Sequence, residues 1–333
     1  MKKLALLLGS LLVVGATASA KEVVAPVEVS KEVVAVVEPV AEVVVVEETP
    51  TLKLSRIQTG IWSENRSGKT NGDLGSNSLR LNTKFTYGPD WYGFFNARRY
   101  FTSNQNGSYG DKDLFAKAAT RTYVGIGRNN IFDNYGLEFA YVSQGQWDKF
   151  DVTASFAPTS WLSGYAMYEY KSAAGNGDYK VTNDEGIVDT VTASNSDAHY
   201  VEVQPKLSYN GWGISYYFEG EYAIENDAEY YYQQVRLFTP AVTYGDFSVS
   251  GEYRGMLQYD SKDILGRTVY GVGNKMKNAF DVNRVYLLGN YAINDSTSIF
   301  TNLGYEFGKW EEKNGSKKDS YMTIVEAGVT VKF

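Results

Sequence analysis

The chain has 333 residues, 32 basic against 39 acidic, with no cysteine, 27 tyrosines and 32 glycines. The lack of cysteine excludes disulfide scaffolds and thiolate metal sites, and the acidic balance argues against nucleic acid as a partner. Aromatics at 15% suit many short strands whose rings meet an interface, and past the N-terminus no apolar run is long enough for a membrane helix.

Residues 1–20, MKKLALLLGSLLVVGATASA, have a basic head at Lys2 and Lys3, an apolar stretch from Leu4 to Val14, and the A-x-A end Ala18, Ser19, Ala20. This predicts a cleaved signal peptide. Its apolar run is too short for an anchor. Cleavage would take the formal net charge from −7 to −9. Residues 21–50 repeat Val, Glu, Ala and Pro, with KEVV at 21 and again at 31. Pro26, Pro39 and Pro50 interrupt any regular element, which predicts an extended periplasmic lead-in.

From 51 to 333 the pattern becomes alternation with period two. Leu79, Leu81, Thr83, Phe85 and Tyr87 alternate with Arg80, Asn82, Lys84 and Thr86. Trp212, Ile214, Tyr216 and Phe218 alternate with Gly213, Ser215, Tyr217 and Glu219. The last run, Tyr321 to Phe333, is the most regular. A strand puts each such set on one face. Short connections at 88–90, 127–134, 157–160, 210–211, 245–246 and 294–296 fall between longer ones at 64–78, 103–112, 144–148, 171–197, 225–229, 258–279 and 309–319. Six turns and seven loops predict fourteen strands with both ends on the turn side. The predicted fold is all-β: a transmembrane antiparallel β-barrel with short periplasmic turns and longer extracellular loops. Hydrocarbon leaves no water for unpaired backbone groups, so the strands must close into a ring.

Two prolines disturb this pattern. Pro205 and Pro240 fall inside strands and predict bulges or fraying near the turn rim. Trp161 falls on the wrong alternate set for its strand. Beside the short turns, Tyr87, Trp91, Tyr135, Tyr209, Trp212, Tyr244 and Phe247 predict an aromatic girdle at a lipid headgroup boundary.

The leader, the Val/Glu/Pro lead-in and the terminal AGVTVKF resemble the major outer-membrane porins of fusobacteria, the FomA-like family. The end of the chain, Val329, Val331 and Phe333, resembles an outer-membrane assembly signal. The resemblance covers the whole chain in architecture and the two ends in residues. It implies fourteen strands, a homotrimer and general diffusion, with some members also acting as adhesins. The lead-in is richer in valine than the family's, which leaves open a smaller paralogue.

A porin selects through the charges of its lumen. The alternate set predicts a basic wall of Arg80, Lys84, Lys117 and Arg121, with Arg56 and Arg98 in less regular strands. It predicts an acidic wall of Glu169, Glu202, Glu219, Glu221 and Glu252, with Lys206 and Arg254 as exceptions. Strand two faces strand nine in a fourteen-strand ring, so the walls would set up a transverse field. The competing reading is that these charges pair locally and only hydrate the barrel. In the longest loop, 171–197, the carboxylates lack the spacing of a calcium site.

The expected function is an outer-membrane porin passing small hydrophilic solutes and ions by diffusion. A structural or adhesive barrel with a filled lumen is the alternative, and a rim-site hydrolase comes third. The single histidine, His199, has no nucleophile motif with it, so the chain is not read as an enzyme. No cofactor or metal is expected. The expected partners are outer-membrane lipid, the assembly machinery and small solutes, together with surface ligands of other cells on the adhesin reading.

Overall fold

A computed structural model describes residues 50–66, 77–101, 120–144, 147–173, 177–182, 188–193, 197–224, 229–262, 276, 278–311 and 317–333. The leader expected at 1–20 and all of the lead-in except Pro50 lie outside these residues, as does Lys117. In chain order the strands are β1 (Leu52–Arg66), β2 (Asn77–Tyr87), β3 (Trp91–Phe101), β4 (Thr120–Arg128), β5 (Tyr135–Gln144), β6 (Trp147–Thr159) and β7 (Leu162–Ala173). There follow β8 (Gly177–Thr182), β9 (Val188–Ala193), β10 (Ala198–Tyr209), β11 (Trp212–Ala223), β12 (Glu229–Phe238), β13 (Val242–Tyr244) and β14 (Phe247–Lys262). The last are β15 (Val282–Ala292), β16 (Thr297–Glu311) and β17 (Lys317–Lys332).

β8 and β9 pair only with each other, inside the long 171–197 connection. β12 and β13 are two pieces of one barrel strand, both lying against β14. The barrel therefore has fourteen antiparallel strands, and it closes because β1 pairs with β17 from Arg56↔Lys332 to Arg66↔Met322. All six expected short turns are present; of the seven longer connections, 103–112 lies wholly, and the others partly, outside the described residues. β14 runs to Lys262 and β16 to Glu311, so the loops expected from 258 and 309 begin later.

Turn chemistry explains the tight ends. At Asn210–Gly211 both central residues take positive φ, 47° and 80°, the geometry that suits the right-handed twist of flanking strands. Neighbouring turns are tied together, since Asn130 Nδ2 donates to Asp90 Oδ1 at 3.0 Å.

The two prolines part company. At Pro240 the strand breaks, and β12 ends at Phe238. Thr239 bridges the gap, its amide donating to Gly251 O at 2.9 Å and its hydroxyl accepting from Gly251 N at 2.8 Å. Of the two outcomes expected at Pro205, a bulge does not form; the ladder to β11 instead lacks pairs at Gln204 and Pro205. β10 runs through it, paired with Gly164, and the ladder to β11 steps from Val203↔Phe218 to Lys206↔Ser215 without changing register. The lost donor is accommodated where those two strands exchange no paired residues. Trp161 lies in the two-residue turn between β6 and β7, so strand alternation does not govern it.

The outer face is apolar. Ile61, Leu79, Phe139, Ile214, Leu287, Leu303 and Val325 are all exposed there, as a surface bathed in lipid requires and a water-facing sheet would not. Buried side chains belong to the inner face. Tyr230, Met256, Tyr259 and Val282 form one inner cluster, and Tyr286, Met322 and Ile324 form another. Both lie toward the loop end of the strands.

Candidate functional site

The inward set of alternate residues makes the lumen. The five expected acidic residues all lie on it, and each has a partner. On β11, Glu219 accepts hydroxyls from Tyr217 at 2.7 Å, Tyr230 at 2.8 Å and Tyr232 at 2.6 Å. Its cross-strand neighbour Glu202 accepts from Tyr200 at 2.7 Å and from Tyr165. Glu221, 0% exposed, binds Lys171 Nζ at 2.9 Å. Glu169 pairs with Lys149, and Glu252 takes Arg254 Nε at 2.6 Å. Burying a carboxylate is costly unless it is paired and hydrogen-bonded, and tyrosine and lysine supply the compensation here.

The described members of the basic set also line the lumen. Arg80 contacts Glu326 at 3.2 Å and stacks on Trp62, its guanidinium carbon 4.0 Å from the ring centre. Lys84 Nζ lies 4.5 Å from the centre of the Tyr92 ring, and Tyr92 Oη donates to Glu138 at 2.8 Å. Arg121 Nη1 donates to Tyr123 Oη at 3.0 Å. β2 and β11 are seven places apart in the ring of fourteen, so these residues face the Glu219 cluster.

Packing around the lumen is uneven. On β10 to β14, Tyr200, Tyr217, Glu219, Tyr230, Gln234 and Arg236 are buried. On β1 to β4, Gln58, Arg80, Asn82, Lys84, Asn96, Arg98 and Arg121 are partly exposed, and Arg56 is exposed. A cavity of about 460 Å³ lies toward the turn side, lined by Gln58, Ser248, Ser250, Asn290, Asn302 and Glu326 among others. Amides link its edge, Asn82 Nδ2 donating to Gln58 Oε1 at 3.2 Å and Gln58 Nε2 to Thr330 Oγ1 at 3.3 Å.

Several inward groups were not among the expected walls, among them Glu138, Lys149, Arg236, Arg284, Glu306 and Glu326. Arg284 Nε donates to Glu306 Oε2 at 2.9 Å. The signal for Arg236 was present in Tyr230, Tyr232, Gln234 and Arg236, a complete inward set on β12.

On the outer face at the turn side, Tyr87, Trp91, Tyr135, Tyr209, Trp212, Tyr244 and Phe247 are all exposed. Tyr87 opposes Trp91, Tyr209 opposes Trp212, and Tyr244 opposes Phe247. A second set lies toward the loops: Tyr141 and Phe150, with ring centres 5.4 Å apart, and Tyr305 and Tyr321, 6.4 Å apart. On β5, Tyr135 and Tyr141 are six residues apart, about 20 Å along the strand. At the chain end Val329 and Val331 lie on the outer face, and Phe333 N donates to Ser55 O at 3.2 Å. His199 faces outward, its Nδ1 2.8 Å from Tyr168 Oη. Among the described residues no group of three or more His, Cys, Asp or Glu could hold a metal ion.

No family model and no curated protein matches the sequence. Among solved structures, a loop-deletion mutant of OmpT, an outer membrane protein of Vibrio cholerae, is 10% identical with a TM-score of 0.44, over 86% of this chain and 100% of its own. An anion-selective porin from Comamonas acidovorans is 11% identical with a TM-score of 0.43, over 85% and 100%. OprB from Pseudomonas putida is 9% identical with a TM-score of 0.40, over 85% and 94%.

Proposed function

We propose that the protein is an outer-membrane porin through which small hydrophilic solutes and ions diffuse. The observation that carries this reading is the two-faced closed ring: apolar outside between two sets of aromatics, charged and polar inside. Such a ring suits a bilayer on one face and water on the other. The partly exposed β1 to β4 side and the adjoining cavity support a water-filled path beside that wall. Cleavage of residues 1–20, insertion through an assembly signal at Val329, Val331 and Phe333, trimer formation and kinship with the fusobacterial porins belong to the same proposal.

A second reading, a structural or adhesive barrel, draws support from the buried tyrosine–glutamate cluster and the two apolar inner clusters, which fill much of the loop-side lumen. Eight-stranded barrels are filled by side chains and sixteen-stranded ones hold a channel, so fourteen strands fit either reading. Planar-bilayer recording of the purified mature chain separates the two. Stepwise ohmic currents support the porin; silence from correctly folded protein supports the filled barrel.

A further inference from the structure

Strand register places six arginines at one depth. Arg80, Arg98 and Arg121 are direct cross-strand partners on β2, β3 and β4. Arg236, Arg254 and Arg284 are direct cross-strand partners on β12, β14 and β15. Arg80 and Arg98 lie seven residues from Tyr87 and Trp91, the aromatic pair at their turn. Arg254 and Arg284 lie seven residues from Phe247 and Tyr291, another such pair. Both triplets therefore sit about 24 Å along the strands from the turn-side rim. In the ring of fourteen, β3 stands across from β12 and β4 across from β14, so the triplets face each other.

Like charges directly opposite on neighbouring strands destabilise a sheet. A barrel that needed only a hydrated interior could alternate signs at no such cost. Arg80 pairs with Glu326, Arg254 with Glu252 and Arg284 with Glu306. Arg98 and Arg236 lie on tyrosine faces, Tyr123 at 5.1 Å and Tyr217 at 3.5 Å; Arg236 also donates to the amide oxygens of Gln234 and Gln204 at 3.1 Å and lies within electrostatic reach of Glu202. Rings and amides orient a guanidinium while leaving its formal charge in place.

We propose that the two arginine triplets form a collar in which Arg80, Arg98 and Arg121 select small oxyanions, those bearing carboxylate or phosphate. On the facing triplet Arg254 and Arg284 already give paired donors to Glu252 and Glu306, and Arg236 is buried, so that side adds only its field. A planar guanidinium offers paired donors that match these groups, which a lysine would not. A second row of cations lies on the same wall nearer the turn mouth, where Lys332, Arg56 and Lys84 are successive cross-strand partners on β17, β1 and β2. Lys84 is four residues from Arg80, about 13 Å along β2, with the Gln58–Asn82 amides between. An anion can thus pass between weak sites, which conduction requires.

This inference rests on the porin reading, and one experiment tells their failures apart. The mature chain is recorded in planar bilayers across a KCl gradient, then with inorganic phosphate added to one side. The expected reversal potential shows chloride preferred over potassium, and phosphate reduces the chloride current. Arg98→Gln with Arg121→Gln shifts the permeability ratio toward unity and abolishes the phosphate effect. Arg98→Lys with Arg121→Lys keeps the chloride preference but loses the phosphate effect. Because the lysine pair retains the charge, it serves where the glutamine pair does not fold. Currents without chloride preference, or a phosphate effect that survives either pair, overturn the collar and leave the porin standing. Silence from folded wild-type protein overturns both.

Discussion

Lys171 on β7 reaches across β10 to Glu221 on β11, with Nζ 2.9 Å from Oε1 and both groups almost wholly buried. The pair staples three strands at the loop end of the lumen. Removing one partner leaves a buried charge uncompensated, a loss of about 3–5 kcal/mol. Glu221→Ala is expected to destabilise the barrel by that order in urea titrations of protein folded into lipid vesicles. Replacing both, Lys171→Met with Glu221→Leu, is expected to restore most of the loss. A double variant no more stable than Glu221→Ala would show that the pair does not act as a unit.

The tyrosines around Glu219 allow stability and pore size to be varied separately. Tyr232→Phe removes one hydroxyl from a carboxylate and is expected to cost about 1.5–3 kcal/mol without changing conductance. Tyr217→Ala removes a whole ring from the lumen and is expected to raise single-channel conductance. Equal conductance in the wild type and Tyr217→Ala would show that the ring does not border the conducting path.

Adjacent residues on β16 test the two faces. Leu303 is exposed on the outer face midway along the strand, and Asn302 is lumenal, its Nδ2 donating to Glu326 at 2.7 Å. Leu303→Arg is expected to cost about 2–4 kcal/mol in vesicle unfolding, the penalty for arginine on a lipid face near midplane. Asn302→Arg is expected to be tolerated and to alter ion selectivity. Equal tolerance of both would contradict the assigned orientation.

The seam where the ring closes depends on two opposed glycines, Gly60 and Gly328. A Cβ on Gly60 would meet Ala327 O at 2.7 Å, and one on Gly328 would run into Thr59 O and lie 2.7 Å from Gly60 Cα. Backbone approach this close leaves no room for a side chain. Gly328→Val is expected to prevent closure, seen as loss of the compact form in unheated gel electrophoresis. Gly289→Ala, where the nearest side-chain atom would be Thr301 Cγ2 at 3.0 Å, is expected to close normally.

The architecture was legible because period-two patterning and turn residues are local properties. The alternation from Trp212 to Ala223 runs the length of β11, with Glu219 and Glu221 buried and Trp212, Ile214 and Tyr216 exposed. The pairings were not legible, because alternation tells which way a side chain points but not what stands beside it. Glu219 meets Tyr230 and Tyr232 only through the register of β11 against β12. The contrast between Pro205 and Pro240 was hidden in the same way: β10 continues through Pro205, whereas β12 ends at Phe238. The arginine triplets likewise emerge only once four ladders, β2–β3, β3–β4, β12–β14 and β14–β15, are in register.

The β1–β17 seam joins the beginning of the barrel to its end. Until the final strand is made, β1 offers a row of vacant amides and carbonyls to any passing chain, and contacts this far apart in sequence form slowly. A chain cut short anywhere before the last hairpin is therefore an unclosed ribbon with two bare edges rather than a smaller barrel.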